Sequence, residues 1–253
     1  MRTASYLIAV VLGLALTLGA GSAQAETTAC TPITSLPATI SVQGVYCFTQ
    51  HLNTSTPSGN AIDIQTNNVI LDLNGWKLGG LAAGPGTTAN GIFALNRQNI
   101  TIKNGTVRGF LVGIFLQGSA SQGHVVEDIR ADQNTFVGIW GEGDGNLIRN
   151  NQVVATGGST CCGTNANAFG ILAQSGTGSR VLNNDVIDVQ KQGTGVAWGI
   201  AFSFVSGGLA VNNRITNADR GIEFNVSTGK YRDNLTTNVG TPFIGGTAVG
   251  TNN

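Results

Sequence analysis

Short runs of alternating apolar and polar residues recur along the chain, and each is opened by a glycine followed by an isoleucine. These glycines stand 22 to 32 residues apart, at Gly91, Gly113, Gly138, Gly170, Gly199 and Gly221. Ala61-Ile62 is an earlier, degenerate copy. Alternation with a period of two predicts a short strand after each pair, with the isoleucine on one side and its neighbours on the other.

A second apolar run follows in most copies and ends in asparagine, as at Asn104, Asn150-Asn151 and Asn183-Asn184. Leucine-rich and helical repeats have similar periods, but the chain lacks both their L-x-x-L-x-L frame and a 3.6-residue periodicity. Unequal repeats that bury their apolar side only by stacking are typical of a β-solenoid. The sequence therefore predicts an all-β, right-handed parallel β-helix of about seven coils, with three short sheets and the isoleucines in one internal row.

Segments of different character divide the chain into four parts. Residues 1–25 are predicted to be a signal peptide, because Arg2 precedes an apolar run and Ala23-Gln24-Ala25 forms a cleavage site. We then predict an N-terminal cap over 26–60, the β-helix over 61–238 and a C-terminal tail or cap over 239–253. No stretch is long enough for a transmembrane segment, so the protein is predicted to be secreted or periplasmic.

Four cysteines fit the oxidising compartment that export implies. Cys30 and Cys47 flank a segment without repeat character, and we predict that they are bonded and staple the cap. Cys161 and Cys162 are adjacent in a loop rich in glycine, serine and threonine. Three states remain open for this second pair: a vicinal disulfide, pairing with another chain, or free thiols.

The charge balance argues against a polyanion partner. The chain has 13 basic and 13 acidic residues, and removal of the leader takes away only Arg2, which leaves a net charge near −1. Because nucleic-acid binding depends on clustered positive charge, nucleic acid is not an expected partner.

The segment His124-Val125-Val126-Glu127-Asp128 interrupts the asparagine pattern, since it places two acids where other copies have asparagine. A carboxylate only accepts hydrogen bonds, so burying one without a cation would be costly. Lys103 and Arg149 lie in the copies before and after. We expect at least one acid to point outward and to contact Lys103, Arg149 or Arg130.

The Gly-Ile strands, the asparagine ladder and the segment Asn99-Ile-Thr-Ile-Lys-Asn-Gly-Thr-Val-Arg-Gly109 resemble those of the right-handed parallel β-helix proteins of the pectate-lyase-like superfamily. The resemblance covers roughly residues 61–238 and is greatest to small bacterial members without an assigned activity. It implies secreted enzymes that cleave or epimerise polysaccharides, often uronates, but also tailspikes, adhesins and a periplasmic copper-maturation protein. The motifs of polygalacturonases, alginate epimerases and calcium-dependent pectate lyases are absent, so the fold does not name the reaction.

One polar constellation can carry chemistry of that kind. β-Elimination on a uronate needs a cation to neutralise the carboxylate and a base near the C5 proton. Lys103, Asp128 and Arg149, with His124 beside them, are the candidate catalytic residues. Two further residues, Arg108 and Arg130, are candidate substrate-binding residues. The alternative is a surface ion-pair ladder, with His124 an inert histidine at a surface turn.

An apolar stripe supplies a second candidate surface. Its members share the outward phase of the first strand in successive copies: Phe93, Phe115, Trp140 and Leu172. Phe93, Phe115 and Trp140 are candidate sugar-stacking residues. The stripe is equally compatible with an oligomer contact, or with a surface covered by the insertion 155–167. The oligomeric state is not predicted.

Calcium is the one cofactor that the sequence raises. Glu142, Asp144 and Asn146 space oxygen ligands two residues apart, as in a calcium loop, although a solvated turn fits as well. We expect no other metal or cofactor.

Two function classes follow from these patterns. The first is a secreted polysaccharide lyase or epimerase that acts on an acidic, uronate-containing glycan. The second is a non-catalytic envelope or surface protein that binds a glycan or a protein partner through the aromatic stripe.

Overall fold

The computed structural model describes residues 29–161 and 163–253, and the predicted signal peptide lies outside this range. Within it, 23 strands pair in parallel with the equivalent strands of the next turn. Bends divide each turn into three faces, which we call A, B and C. The strands make about eight turns, one more than the Gly-Ile copies indicate.

The strands of one face follow the glycines of the repeat, and the other two faces follow in order along each turn. Face A contains β2 (Ala38–Ile40), β5 (Asn60–Ile64), β8 (Asn90–Leu95), β10 (Val112–Gln117), β12 (Val137–Glu142), β15 (Ala168–Gln174) and β18 (Ala197–Ser203). Face B contains β1 (Thr31–Ile33), β3 (Gly44–Phe48), β6 (Val69–Asp72), β13 (Leu147–Arg149), β16 (Arg180–Leu182), β19 (Gly208–Val211), β21 (Gly229–Arg232) and β23 (Thr247–Ala248). Face C contains β4 (Leu52–Asn53), β7 (Lys77–Gly79), β14 (Gln152–Val154) and β17 (Asp185–Ile187). Four longer strands bend across two faces: β9 (Ile100–Arg108) and β11 (Val125–Asp132) join B to C, and β20 (Arg214–Asn225) and β22 (Leu235–Ile244) join C to A. A single 3₁₀ turn (Leu81–Ala83) is the only helical element among the described residues.

The predicted isoleucine row is confirmed. The row runs through face A in register: Ile62, Ile92, Ile114, Ile139, Ile171, Ile200 and Ile222. Each of these side chains is at most 1% exposed. Because each turn buries its apolar side chains against the turns above and below, this row forms a continuous part of the core along the solenoid axis.

The glycine before each isoleucine is required by close approach between turns. A Cβ added at Gly138 would lie 2.6 Å from the carbonyl oxygen of Gly170, and one added at Gly170 would lie 2.6 Å from that of Gly199. The next turn therefore leaves no space for a side chain. The repeated glycine of the Gly-Ile pair is thus the sequence signature of this close backbone contact.

The many asparagines occupy the bends. Among the described residues, eighteen other than glycine have positive φ, and most are asparagine or aspartate, which tolerate the left-handed conformation. In the doublets the first asparagine takes this conformation (φ 56° at Asn150), and the second points inward and is buried. Asn184, for example, accepts from the side chain of Asn151 and donates to that of Asn213, both at 3.0 Å. The side chains of the ladder thus form hydrogen bonds with backbone N–H and C=O groups that have no partner in the sheets at the bend.

Both ends of the solenoid extend beyond the predicted 61–238. Strands begin at Thr31, so residues 31–53 form a turn in register with the next one rather than a separate segment. The predicted disulfide joins Cys30 to Cys47, with a Cα–Cα distance of 5.7 Å, and so ties the start of this turn to β3. At the other end β22 and β23 continue the pairing to Ala248, and Asn252 adds a rung to the ladder by accepting from Asn234.

Candidate functional site

Equivalent outward positions on face A form columns that run along the solenoid axis. One column, the floor column, follows the isoleucine row by one residue: Phe93, Phe115, Trp140, Leu172, Ala201 and Glu223. Phe115 and Trp140 stack with their ring centroids 4.3 Å apart. Side-chain size then falls from Trp140 to Leu172 and Ala201, and this decrease leaves a depression on the outer surface.

A second column, the wall column, rises beside this depression two residues before the isoleucines. Here Phe169 pairs with Trp198, and their rings lie 4.5 Å apart at 4°. Phe136 bridges the two columns, with its ring 6.4 Å from that of Trp140 and 5.8 Å from that of Phe169. Aromatic rings thus form one side of the depression.

The opposite side of the depression is polar. Gln174, Ser203 and Asn225 stand in register there, two residues beyond the floor column. The resulting face A groove has a volume of about 360 Å³. Trp140 lies at one end of its floor and Glu223 at the other, three turns away, which corresponds to about 14 Å.

The Glu223 end combines a carboxylate, a cation and an aromatic ring. Glu223 is 7% exposed, and its Oε2 accepts hydrogen bonds from Trp198 Nε1 and from Arg220 Nη1, the latter at 2.7 Å. The guanidinium of Arg220 also lies 5.4 Å from the centre of the Trp198 ring. No hydrogen bond to the other oxygen, Oε1, is formed within the described part of the chain.

The Trp140 end has an unused donor. Trp140 Nε1 is buried and makes no hydrogen bond to any described residue. Because this nitrogen has essentially no exposed area, it does not meet a ligand in the groove, and Trp140 contributes the face of its half-buried ring. Aromatic faces and one free acceptor, Glu223 Oε1, suit a ligand that has both apolar ring faces and hydroxyl groups.

The predicted catalytic residues lie on a different face. Lys103, Glu127 and Arg149 are in register on face B, and Asp72 pairs with Lys103 one turn earlier. Arg149 contacts Glu127 at 2.6 Å and Lys103 contacts Asp72 at 3.5 Å. The predicted contact between an outward acid and Arg149 is confirmed. These four residues, the face B charge column, alternate in sign, so each charge has an opposite neighbour.

Only one of the two acids replaces an asparagine. Asp128 takes the left-handed bend position (φ 53°) that Asn104 and Asn150 occupy in the adjacent turns. Glu127 is a strand residue, and the inward ladder position falls to Ile129, whose backbone N–H donates to Asn151. The expectation that both acids replace asparagine is therefore wrong, and the local conformation explains Asp128 without a catalytic role.

Arg108 and Arg130 lie on face C, both against Asp132. Their N–O distances to this carboxylate are 3.4 and 3.5 Å. Arg108 also donates to Gln133. The geometry therefore places the two arginines in a local ion-pair group, separate from the groove.

His124 is an interior residue, although its sequence position indicated a surface turn. Its side chain is 1% exposed, and its Nδ1 accepts from the backbone N–H of Ile100 at 3.3 Å. Burial lowers the pKa of His124 to about 4, against a weaker opposing contribution from the backbone of Arg97. A neutral, interior imidazole cannot reach a substrate on face B.

The oxygen atoms of the proposed calcium loop bond to neighbouring groups. Glu142 Oε2 accepts from the Gly118 N–H at 2.6 Å, and Asp144 Oδ1 accepts from the Thr177 N–H at 2.7 Å. Asn146 is buried, and its Oδ1 accepts from the His124 N–H. Across residues 29–161 and 163–253, no three His, Cys, Asp or Glu side chains are grouped closely enough to hold a metal ion.

The insertion 155–167 runs beside the stripe at the bend that precedes face A. Its backbone donates to the carbonyl of Thr135 from Ser159 and to that of Pro85 from Thr160. Asn167, at its end, lines the face A groove. The state of the Cys161–Cys162 pair involves Cys162, which lies outside the described residues.

Sequence reasoning missed the aromatic wall and the acid at the groove's end. Phe169, Trp198 and Glu223 were not among the candidate residues. The sequence did contain a signal, two residues before the repeated isoleucines. This position is aromatic in two successive turns, at Phe169 and Trp198, and is Arg220 in the next.

A family described as "right handed beta helix region" matches residues 90–253, and the chain belongs to this family. No curated protein matches the chain.

Solved structures share the fold at low identity. The enzymatically active domain of tailspike protein 2 from bacteriophage CBA120 aligns with a TM-score of 0.51 and 12% identity, over 83% of this chain and 39% of the tailspike. The Dettilon tailspike protein (gp208) aligns with a TM-score of 0.51 and 15% identity, over 87% of this chain and 54% of the tailspike. The chain thus spans about two fifths and about half of these proteins, and the likeness concerns the fold alone.

A third structure, the catalytic domain of a GH87 α-1,3-glucanase in complex with nigerose, aligns less well. Its TM-score is 0.40 at 12% identity, over 89% of this chain and 63% of the glucanase, which is too low to bear on function.

The described residues contain no helix of the length and apolar character needed to cross a membrane.

Proposed function

We propose that this protein is an exported glycan-binding protein and that it binds a polysaccharide segment in the face A groove, along the solenoid axis. The observation that carries the proposal is the groove itself: stacked aromatic rings on one side, polar side chains on the other, and a free carboxylate oxygen of Glu223 at one end. Sugar rings present apolar faces to aromatic residues and hydroxyls to polar ones.

Binding without cleavage agrees best with the charges in the groove. Glu223 is the one carboxylate among the described residues that line it. Glycoside hydrolysis ordinarily uses two carboxyl groups, about 5 to 9.5 Å apart, as acid and as base or nucleophile. The disulfide and the predicted signal peptide fit export to an oxidising compartment.

A filled groove tests the proposal. Ala201 is on the floor between Leu172 and Glu223, so Ala201→Trp would occupy the space of the ligand. Binding of the purified protein to a panel of neutral and acidic polysaccharides is measured by affinity electrophoresis and calorimetry. We expect Ala201→Trp to weaken binding about 30-fold or more.

Val211→Trp is the matched control, because Val211 is a half-buried strand residue of the same turn on face B. It should bind like the wild type. Equal affinity of the Ala201→Trp variant and the wild type would refute the groove as the binding site.

Lyase or epimerase activity on a uronate is the second candidate function. The observation that favours it is the register of Lys103 and Arg149 on either side of Glu127. Absorbance of newly formed unsaturated ends on uronate polysaccharides, with and without calcium, tests for a lyase, and uptake of deuterium at C5 from D₂O tests for an epimerase. Activity that Lys103→Ala abolishes in a folded protein would establish it, and no activity on any substrate would exclude a lyase.

A further inference from the structure

Arg220, the cation that contacts Glu223 at this end of the groove, is already neutralised. Arg220 Nη1 lies 2.7 Å from Glu223 Oε2, and the side chain of Glu223 is the more buried of the two, 9% exposed against 37% for Arg220. A glycan carboxylate entering this end would meet the carboxylate of Glu223 beside a guanidinium that is already paired. Like charges at short range repel, and the partly buried site screens them less than open water does.

The free oxygen of Glu223, Oε1, also favours a sugar hydroxyl over a sugar carboxylate, because of the hydrogen bonds it can form. An ionised carboxylate only accepts hydrogen bonds, so Oε1 can take a sugar hydroxyl and cannot pair with another carboxylate. At the far end, Trp140 offers a half-buried ring that can pack against the apolar face of a sugar. Both ends therefore suit hydroxyl-bearing, uncharged sugars.

The spacing of the two ends indicates the size of the ligand. Trp140 and Glu223 are separated by three register steps, about 14 Å along the axis. Leu172 and Ala201 between them are 5% and 4% exposed and supply an uncharged floor. A single sugar ring cannot engage both ends, whereas an oligosaccharide segment can.

We propose that the face A groove selects a neutral oligosaccharide and that Glu223 is the residue that excludes uronates. The inference rests on the proposed function and adds the class of ligand and the group that determines it. It predicts that removing the charge of Glu223 releases Arg220 to bind a sugar carboxylate, while Gln at this position can still accept from Trp198.

The experiment compares the wild type with Glu223→Gln on two sets of probes of equal length. The neutral set contains oligosaccharides of glucose, mannose and galactose, and the acidic set contains oligogalacturonate and oligomannuronate. We expect the wild type to bind at least one neutral probe about tenfold or more tightly than any acidic probe. Glu223→Gln should reduce the ratio of neutral to acidic affinity about tenfold, mainly because its affinity for the acidic probes rises.

Glu127→Gln is the matched control. It makes the same change of net charge and also releases an arginine, Arg149, but on face B. It should keep the wild-type preference. A gain of uronate binding in both variants would show a general effect of charge and overturn the role of Glu223.

The remaining outcomes separate this inference from the proposed function. Tighter binding of uronates than of every neutral probe by the wild type, blocked by Ala201→Trp, would overturn the ligand class and leave the groove as the binding site. An unchanged preference in Glu223→Gln would overturn the role of Glu223 alone. Binding that Ala201→Trp does not affect, or no binding to either set, would overturn both the proposed function and the inference.

Discussion

The face A groove and the face B charge column are built in the same way and have opposite properties. Each is a column of equivalent outward positions, held in register by the strands beneath. On face A the residues change in size from turn to turn, from Trp140 through Leu172 to Ala201, and the change produces a concave surface. On face B successive residues alternate in charge, and each charge is matched by a neighbouring turn.

The difference shows that register alone does not make a site. A regular column of matched charges is solvated and contributes little energy. A column that varies in size creates a concave, mostly apolar surface with a few polar groups at its edge, which is the arrangement that ligands exploit. Changes that affect one column and spare the other therefore test the comparison most sharply.

The largest expected effect concerns His124, which the sequence assigned to the face B site and the structure places beneath it. Its folded-state pKa of about 4 lies below the ordinary value of 6.5, so as pH falls the unfolded chain takes up a proton first. The free energy of unfolding should be unaffected above pH 6.5 and should fall by about 3 kcal/mol as pH drops from 6.5 to 4. Urea unfolding across this range, with the wild type and His124→Gln, measures the contribution.

His51→Gln is the control, because His51 is an exposed histidine that accepts from the Lys77 N–H. It should keep the wild-type dependence on pH, whereas His124→Gln should lose part of it. An NMR titration of the wild type supplies a check that needs no variant. Protonation of His124 near pH 6.5 in the folded protein would contradict the interior assignment.

The wall of the groove gives the next largest effect. Trp198 stacks on Phe169 and donates to Glu223, so Trp198→Ala should weaken glycan binding by about 2 kcal/mol, roughly 30-fold. The comparison is Trp76→Ala, since Trp76 packs edge-on against His51 away from face A. Calorimetric titration should show the loss in Trp198→Ala only. A similar loss in both variants would place the binding surface elsewhere.

The charge column should respond weakly. Arg149→Ala removes the contact with Glu127 at a side chain that is 45% exposed, so the unfolding free energy should fall by at most about 1 kcal/mol. Glycan binding should not change. A double-mutant cycle with Glu127→Ala isolates the pair. A coupling energy well above 1 kcal/mol, or a loss of binding, would show that this column is more than a surface ladder.

An effect of similarly small size is expected beside the groove, at Phe204. This residue is 59% exposed and has a φ of 58°, at a bend position that is Asn96 in an earlier turn. Because a left-handed conformation is costly for a bulky residue, Phe204→Asn should raise the unfolding free energy by about 1 kcal/mol. Phe204→Ala, which removes the ring but keeps a Cβ without a polar group, is the control. Thermal unfolding that shows no gain for asparagine over alanine would refute the strain.

The fold could be predicted from the sequence because its strongest constraints repeat. The glycine before each isoleucine records a backbone contact between turns, and the asparagines record a bend that requires positive φ. Both recur in most turns, so one sequence contains several copies of each signal. The start of the solenoid at Thr31 was missed because this first turn has neither the Gly-Ile pair nor the asparagine doublet.

The candidate site could be predicted only in part, because it depends on departures from the repeat. Phe115 and Trp140 were recognised from their phase, but Ala201 matters because it is small, and Glu223 because its neighbours Trp198 and Arg220 hold it. Such three-dimensional neighbours are not visible in a single strand's alternation. His124 was misplaced for a related reason, since the residue before a strand can point either way at a bend.

The most direct test of the central claim is to observe the tryptophans while a glycan binds. The chain has three, Trp76, Trp140 and Trp198, and the groove lies against the last two. With 5-fluorotryptophan incorporated, a ¹⁹F NMR titration with the tightest-binding neutral oligosaccharide should shift the signals of Trp140 and Trp198 together and leave that of Trp76 unchanged. A shift of Trp76 alone, or saturation of binding without any change at Trp140 and Trp198, would contradict the assignment of the groove as the binding site.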